Sequence, residues 1–160
     1  MGLTQRKVEI DFLYLDLRAC TRCKGTDASL DAAISEVSRI LNIVGVTVIV
    51  RKTHVRTEKQ ARDMGLASSP TILINGKDIQ DRTRESPCES CSDLIGGERC
   101  DCRIWTYRGK EYTSAPTALI VDAILREVYG RGKSACCPRR PLEVSDNIKR
   151  FFAAKEKRHF

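Results

Sequence analysis

The sequence lacks long hydrophobic runs. None of its 160 residues belongs to an apolar stretch of the roughly 20 residues that a transmembrane helix needs. The apolar segment near the start is interrupted by Asp11 and Asp16, and no small-residue cleavage site follows it, so no signal peptide is indicated. We therefore expect no membrane association and predict that the protein works in the reducing cytoplasm.

Several catalytic signatures are also missing. The chain has two histidines, His54 and His159, and both are separated in sequence from the groups of cysteines. It contains no glycine-rich phosphate loop, no Ser-His-Asp set and no paired carboxylates. These absences argue against the common hydrolase and nucleotide-binding classes. We expect no organic cofactor, and the cysteines remain as the residues that carry chemistry.

Positive charge is concentrated at one end of the chain. Residues 131–160 hold nine of the 28 Lys and Arg residues but three of the 21 acidic residues, so the rest of the chain is nearly neutral. No nucleic-acid-binding motif accompanies this tail, and we interpret it as a solvated end rather than a nucleic-acid site. A regulatory tail that is exposed when cysteines oxidise or bind metal is a further hypothesis.

The eight cysteines are too sparse for a small disulfide scaffold, and cytoplasmic cysteines act as thiols, redox pairs or metal ligands. Cys20-Thr21-Arg22-Cys23 follows an apolar strand predicted over residues 7–17, and this spacing allows a disulfide to close within one turn of chain. In a redox mechanism Cys20 is the attacking thiolate and Cys23 the resolving thiol. Arg22 would favour the thiolate electrostatically.

The hydrophobic pattern predicts alternating strands and helices. Both faces of the first strand are apolar from Phe12 onward, as in a central strand. Gly25-Thr26-Asp27 predicts that the next helix starts late, which would leave Cys23 in a loop. Helical crossovers separate the first three strands, so these strands are predicted to be parallel. Thr57-Glu58-Lys59-Gln60 is a capping box that predicts the start of a short helix, and Gly65 predicts its end. The strand after the Asn75-Gly76 turn is predicted to be antiparallel.

One segment carries a family resemblance. Residues 61–78 (ARDMGLASSPTILINGKD) contain a short helix, a glycine, Ser69-Pro70, an apolar strand and an Asn-Gly turn. With Cys-x-x-Cys after the first strand, this order resembles the thioredoxin-like superfamily and, given the additional cysteines, an uncharacterised prokaryotic branch of it. The resemblance covers residues 7–80 and 114–130. It departs from thioredoxins proper, which have Trp where Ala19 stands and Gly-Pro between the two cysteines.

The resemblance implies a fold and a substrate groove. The implied fold is an α/β thioredoxin-like mixed sheet, with parallel strands and an antiparallel hairpin strand, flanked by helices. The resemblance also implies that Pro70 is cis and that Ser69, Pro70, Thr71 and Arg22 shape a groove in which an extended substrate segment pairs with free main-chain groups.

The predicted domain organisation has one core. Residues 1–130 form the thioredoxin-like domain, and residues 81–113 are a cysteine-rich insertion within it. Residues 131–160 are a basic linker followed by a C-terminal helix, over about 145–157, that docks on the same domain.

The insertion predicts a metal site. Cys88-x-x-Cys91 and Cys100-x-Cys102 place four thiolates within fifteen residues, the donor set of a tetrahedral structural zinc. One zinc would also order a polar insertion that has no core of its own. Two alternatives remain open, namely a second set of dithiols that relays electrons to Cys20–Cys23, and a soft-ion site for Cu(I), mercury or arsenic.

Two auxiliary thiols lie in the basic linker. Cys136 and Cys137 are adjacent, and a disulfide between neighbouring residues is strained and easily reduced. Such a pair can chelate a large thiophilic ion, although two incidental neighbouring thiols explain the sequence nearly as well.

Two functions follow from these patterns. The leading hypothesis is a thiol–disulfide oxidoreductase that acts on a disulfide-containing protein or small molecule and is recycled by a thiol reductant. The alternative is a protein that binds or transfers a soft metal or metalloid (Zn, Hg, As, Cu) without redox turnover.

Overall fold

The computed structural model describes residues 5–130 and 143–157, so Cys136 and Cys137 lie outside the described residues. Within these ranges no helix has both the length and the apolar character needed to cross a membrane. The elements in chain order are β1 (Arg6–Tyr14), α1 (Thr21–Ile43), β2 (Val46–His54), α2 (Glu58–Met64), β3 (Thr71–Ile74), β4 (Lys77–Asp78), β5 (Arg84–Pro87), α3 (Glu89–Leu94), β6 (Asp101–Tyr107), β7 (Lys110–Tyr112), α4 (Thr117–Tyr129) and α5 (Asp146–Lys157).

The strands form two sheets. Four strands make a mixed sheet of order β2-β1-β3-β4, in which β1 and β2 are parallel and β3 and β4 are antiparallel. The strands of the insertion form an antiparallel sheet of order β5-β6-β7. Helices flank the mixed sheet, and α5 confirms the predicted C-terminal helix. The predicted class, α/β with a mixed sheet and a cysteine-rich region, is confirmed.

The prediction that the first three strands are all parallel is wrong for β3. This strand runs antiparallel to β1, with Leu13 opposite Thr71 and Ile10 opposite Ile74. The helix between these strands is short: α2 has seven residues and advances about 10 Å, whereas a strand parallel to the nine-residue β1 would have to start about 30 Å back. The chain therefore re-enters the sheet near the end of β1, which puts Pro70 beside the segment that leads to Cys20.

The central strand β1 is covered on both faces from Phe12 onward, as predicted. Val8, Ile10 and Phe12 belong to a cluster of buried residues shared with α1 and α4. Leu13 and Leu15 belong to a second cluster, which also contains the buried apolar residues of α5 and six cysteines. The thiols therefore lie in an apolar environment on one side of the mixed sheet.

Helix α1 begins earlier than predicted. Cys20 is its N-cap, and the Cys20 sulfur accepts a hydrogen bond from the Cys23 backbone N–H at 3.4 Å. Gly25 lies inside the helix, where an added Cβ would collide with the Ser114 side chain. Gly25 thus provides clearance for Ser114 and does not delay the helix, so the prediction that leaves Cys23 in a loop is wrong. Cys23 lies in the first helical turn.

The predicted turn signals between β2 and β4 are confirmed. Thr57 caps α2 by accepting a hydrogen bond from the Gln60 N–H at 3.0 Å, and Gly65 ends the helix in the left-handed region with φ 92°. Asn75 and Gly76, with φ 49° and 81°, form the turn between β3 and β4.

Arg103 joins the insertion to the mixed sheet. Its side chain is fully buried and donates two hydrogen bonds of 2.8 Å to the carboxylate of Asp78, and a third of 3.3 Å to the Thr71 hydroxyl. The guanidinium lies 4.4 Å from the ring centroid of the buried Trp105. The backbone N–H of Arg103 also donates to the Ser69 carbonyl at 2.9 Å. These contacts fix β6 against the residue that precedes Pro70.

Helix α5 closes the cysteine side of the molecule. Ile148, Phe151 and Phe152 are buried in the same cluster as the six thiols. The Asn147 side chain accepts from the Asp101 N–H at 2.8 Å and donates to the Asp101 carbonyl. The helix is therefore anchored to the first residue of β6, next to the cysteines.

We expect Arg103→Ala to lower the free energy of unfolding by about 3–5 kcal/mol, because removal of one partner of a buried ion pair leaves the other uncompensated. Urea denaturation of the full chain measures this loss. Arg51→Ala is the matched control, since Arg51 makes a two-bond ion pair with Asp11 on the exposed face of the sheet. Equal losses in the two variants would contradict the structural role assigned to Arg103.

Candidate thiol and metal site

Six cysteines from three segments of the described chain converge on one buried region. All are free thiols, and the most exposed of them, Cys88, has 4% of its surface accessible. Two belong to the start of α1, two to the start of α3, and two to the start of β6. The six are Cys20, Cys23, Cys88, Cys91, Cys100 and Cys102.

Four of these thiols have the spacing of a mononuclear metal site. The sulfurs of Cys20, Cys88, Cys91 and Cys102, called here the thiol tetrad, all lie within 4.8 Å of one another. Cys91 and Cys102 are 3.2 Å apart, and Cys20 and Cys102 are 3.8 Å apart. A tetrahedral ion with metal–sulfur bonds of about 2.3 Å has sulfur–sulfur edges of about 3.8 Å. The tetrad could therefore hold a metal ion.

The tetrad differs by one residue from the set predicted from spacing. Cys88, Cys91 and Cys102 belong to it, but its fourth member is Cys20 from α1, and Cys100 lies beside it. No spacing rule could identify Cys20, because this residue is 68 positions before Cys88 and reaches the insertion only by tertiary packing. The signal that was available is the repeated Cys-x-x-Cys motif at two helix starts.

Both Cys-x-x-Cys motifs occupy the same position on a helix. Cys20 is the N-cap of α1 and Cys88 the N-cap of α3, so Cys23 and Cys91 lie in first turns. The Cys88 N–H donates to the Cys100 carbonyl at 2.8 Å, which holds the start of α3 against the segment that enters β6. The two helix starts thus bring their thiols to the same β6 strand.

Arg22 holds the insertion against α1. Its guanidinium donates to the Ser86 hydroxyl at 2.7 Å, to the Pro87 carbonyl at 2.8 Å and to the Cys102 carbonyl at 3.2 Å. The sequence predicted that Arg22 lines a substrate groove. In the structure its donors are engaged by the backbone and one hydroxyl of the insertion, and these bonds help to bring Cys102 to Cys20.

The Ser69–Pro70 peptide is cis, as the resemblance implies. The Ser69 hydroxyl accepts from the Leu15 N–H at 3.2 Å and lies 3.5 Å from the Cys23 sulfur. Ser69 and Thr71 are buried, and the Ser69 carbonyl accepts from the backbone of β6. The main-chain acceptor that the predicted groove needed is therefore taken by the chain's own strand.

The loop before Cys20 is shaped by Asp16. Its carboxylate accepts from the backbone N–H groups of Arg18 at 2.7 Å and Ala19 at 2.6 Å. These bonds form a tight turn between β1 and α1. Asp16 therefore positions Cys20 at the helix start.

Hydrogen bonds among the thiols polarise the site. Bonds from Cys102, then from Cys23 and Cys91, hold the pKa of Cys20 well below its usual range. Bonds from Cys102 and Cys91 lower the pKa of Cys100 to about 5. The pKa of Cys23 is raised by its bond to Cys20 and by burial, and the pKa values of Cys91 and Cys102 are raised, in both cases chiefly by Cys100. These shifts favour the thiolate form at Cys20 and Cys100 and the thiol form at Cys91 and Cys102.

A surface cavity of about 490 Å³ opens at the edge of the tetrad. It is lined by Thr21, Arg22, Cys88 and Ser90, among others. Cys88 is the tetrad member with the greatest exposed surface, so the cavity adjoins the tetrad at this residue.

One comparison with known proteins identifies a family. A family model described as a domain of unknown function, DUF2703, matches residues 8–124, a span that includes all six clustered cysteines. No curated protein and no solved structure matches the chain. Because the match covers well over half of the 160 residues, the chain belongs to the DUF2703 family.

Proposed function

We propose that the protein binds one soft divalent ion, with Zn²⁺ as the first choice, through the thiol tetrad. The observation that carries this proposal is the placement of four buried cysteine sulfurs within 4.8 Å of one another. Four thiolates in tetrahedral positions are the donor set of structural zinc, whereas Mg²⁺ and Ca²⁺ prefer oxygen ligands. The ion would connect α1, α3 and β6, the three elements that provide its ligands.

The sulfur spacing favours a single ion over an iron–sulfur cluster. Such clusters are also held by four cysteines, but inorganic sulfides lie between the irons. Cysteine sulfurs bound to different irons must therefore be farther apart than 4.8 Å, the distance within which all four sulfurs of the tetrad lie.

Two features of the site favour metal binding over exchange with an external protein disulfide. The Cys20 side chain has no exposed surface, so a partner disulfide cannot reach its sulfur without local opening. The Ser69 carbonyl already accepts from the Arg103 N–H, so an extended substrate would have to displace β6. Neither feature blocks the cavity beside Cys88, through which an ion could reach the tetrad.

The proposal includes membership of the thioredoxin-like superfamily. Its support is the Cys20-x-x-Cys23 motif at the start of α1 together with the cis Ser69–Pro70 peptide next to Cys23. It also includes a reducing, cytoplasmic location, since six clustered cysteines are held as free thiols.

A second candidate function is thiol–disulfide exchange by Cys20 and Cys23 when no metal is bound. Its support is the difference between the two thiols, since Cys20 has a lowered pKa and Cys23 a raised one. The Cys20 thiolate would attack a small-molecule or protein disulfide and release one thiolate. Cys23 would then lose its proton, attack the Cys20 sulfur and release the second thiol. A thiol reductant would restore the dithiol.

We expect the reduced full chain to retain one Zn²⁺ in native mass spectrometry. Cys20→Ser should weaken binding by more than about 100-fold, the upper range for loss of an outer-shell partner, because it removes a direct ligand. Serine is a good N-cap, so α1 should keep its start in this variant. Chelator competition measures the change.

The matched controls are Cys23→Ser and Cys100→Ser, which remove buried thiols next to the tetrad but not in it. Both should retain one Zn²⁺. Zinc that is kept in Cys20→Ser and lost in Cys100→Ser would contradict the tetrad and support the ligand set predicted from sequence spacing.

Zinc affinity should rise with pH near neutrality. The raised pKa values of Cys91 and Cys102 mean that both thiols are protonated in the metal-free site, so binding must release their protons. Each released proton changes the affinity about tenfold per pH unit. Calorimetry in buffers of different ionisation enthalpy counts the protons, and binding without proton release at pH 7 would rule out this thiol ligation.

Bound zinc should suppress thiol–disulfide exchange, because Cys20 cannot be a ligand and a nucleophile at the same time. We expect metal-free protein to reduce a small aromatic disulfide, and zinc-loaded protein to do so far more slowly. Cys20→Ser should abolish the fast phase of the metal-free protein. If metal-free protein shows no fast phase that depends on Cys20, the second candidate function is wrong and the zinc proposal is unaffected.

A further inference from the structure

The thiol tetrad contains one pair of sulfurs that is closer than a metal ion would hold it. The Cys91 and Cys102 sulfurs are 3.2 Å apart, whereas the edge of a tetrahedron with metal–sulfur bonds of about 2.3 Å is about 3.8 Å. The Cys20 and Cys102 sulfurs, at 3.8 Å, already have that separation. Zinc binding must therefore move the sulfurs of Cys91 and Cys102 apart, whereas a disulfide bond, with a length of about 2.05 Å, would bring them together.

The backbone holds the two segments that carry this pair side by side. The Cys88 N–H donates to the Cys100 carbonyl at 2.8 Å, and the Cys100 N–H donates to the Ser92 hydroxyl at 3.1 Å. Ser92 follows Cys91 in α3, and Cys100 lies two residues before Cys102. Hydrogen bonds that do not depend on a metal ion thus keep the two thiols close. Such proximity favours reaction between the two sulfurs over reaction with the thiols of other molecules.

Burial limits the kind of oxidant that can reach the pair. Neither Cys91 nor Cys102 has exposed surface, and the cavity of about 490 Å³ adjoins the tetrad at Cys88. A protein disulfide cannot reach these sulfurs without local opening, whereas a small uncharged hydroperoxide could enter by the cavity. Hydrogen peroxide is the simplest member of that class and serves as the probe.

We propose that Cys91 and Cys102 form an oxidation site in the metal-free protein, at which a small hydroperoxide produces a disulfide between them. This pair joins α3 to β6, so it differs from both Cys-x-x-Cys pairs, and its oxidation leaves Cys20 and Cys23 reduced. The disulfide removes two of the four sulfurs of the tetrad, so the oxidised protein does not bind Zn²⁺. This consequence for zinc rests on the proposed function, whereas the oxidation site itself does not.

The oxidation takes two steps, and two electrons pass from the sulfurs to the peroxide. One of the two thiols loses its proton, and its sulfur attacks a peroxide oxygen. The O–O bond breaks, a sulfenic acid forms, and the hydroxide that leaves takes up the released proton to give water. The sulfur of the second thiol then attacks the sulfenic sulfur, the S–O bond breaks, and a disulfide and a second water form. A thiol or phosphine reductant restores the two thiols.

Peptide mapping after limited oxidation tests this inference. The sample is the reduced, metal-free full chain with Cys136→Ser and Cys137→Ser, so that the linker thiols consume no oxidant. It is treated with equimolar hydrogen peroxide, and the remaining thiols are alkylated before digestion with trypsin. The first disulfide to form should join Cys91 to Cys102.

Trypsin separates the candidate disulfides in this chain. The two cysteines at the start of α3 lie on the peptide 85–99, and the two at the start of β6 lie on the peptide 100–103. A cross-link between these two peptides is therefore the expected product. Cys20 and Cys23 fall on two other peptides, since trypsin also cuts after Arg22, so a disulfide between them gives a different cross-link.

A matched variant identifies the two residues. The double substitution Cys88→Ser and Cys100→Ser leaves Cys91 and Cys102 as the sole cysteines of the two peptides, and serine is a good N-cap for α3. The cross-link should form in this variant as it does in the parent. Cys102→Ser should lose the cross-link, and circular dichroism checks that this variant is folded.

Native mass spectrometry of the same samples tests the consequence for the metal. The reduced protein should bind one Zn²⁺, the oxidised protein should bind none, and a phosphine reductant should restore binding. Zinc added before the peroxide should slow the cross-link, because coordination holds the two sulfurs apart and occupies the lone pairs that attack.

A first disulfide between Cys20 and Cys23, a disulfide within the peptide 85–99, or no disulfide at all would overturn the oxidation site. If the reduced protein binds Zn²⁺ but peroxide does not join Cys91 to Cys102, this inference fails and the zinc proposal stands. If the disulfide forms but the reduced protein binds no Zn²⁺, the zinc proposal fails and the oxidation site stands. The two failures are therefore distinguishable.

Discussion

The buried guanidinium of Arg103 joins the two sheets, and the position of the thiols depends on that join. Its two bonds to Asp78 fix β6 against the mixed sheet, and its backbone N–H fixes the same strand against Ser69. Cys102 is the preceding residue, so it is held 3.8 Å from the sulfur of Cys20. The strand β6, which brings Cys102 to the thiol site, is therefore also the strand that hydrogen-bonds with the residue before the cis proline.

This geometry gives Cys20 two incompatible roles. As a member of the tetrad it could bind a metal ion, and as the partner of Cys23 it is half of a potential disulfide. The two chemistries that the sequence left as alternatives thus compete for one sulfur atom. Under the proposed functions, metal occupancy and the oxidation state of the Cys20–Cys23 pair are linked, since each state withdraws the sulfur that the other requires.

The insertion gains its order from polar contacts and thiols as well as from apolar burial. Arg22 donates hydrogen bonds to the backbone of the insertion, and Arg103 of the insertion forms an ion pair with the mixed sheet. Helix α5 covers the cysteines with Ile148 and Phe151. Burial of thiolates is costly unless they are hydrogen-bonded or coordinated. In the metal-free protein, hydrogen bonds between the cysteine side chains stabilise the negative charge of the thiolates, and a bound cation would offset more of this charge.

Local patterns in the sequence were sufficient for the class of fold, the covered central strand, the Thr57 cap and the Asn75-Gly76 turn, because neighbouring residues decide these features. Spacing also found the cysteines of the insertion. The direction of β3, the helical position of Cys23 despite Gly25, and the place of Cys20 in the thiol tetrad were decided by tertiary structure. Each depends on segments that are far apart in the sequence. The direction of β3 depends on the short α2 before it, the start of α1 on the space that Gly25 leaves for the Ser114 side chain, and the tetrad on the contact of α1 with β6.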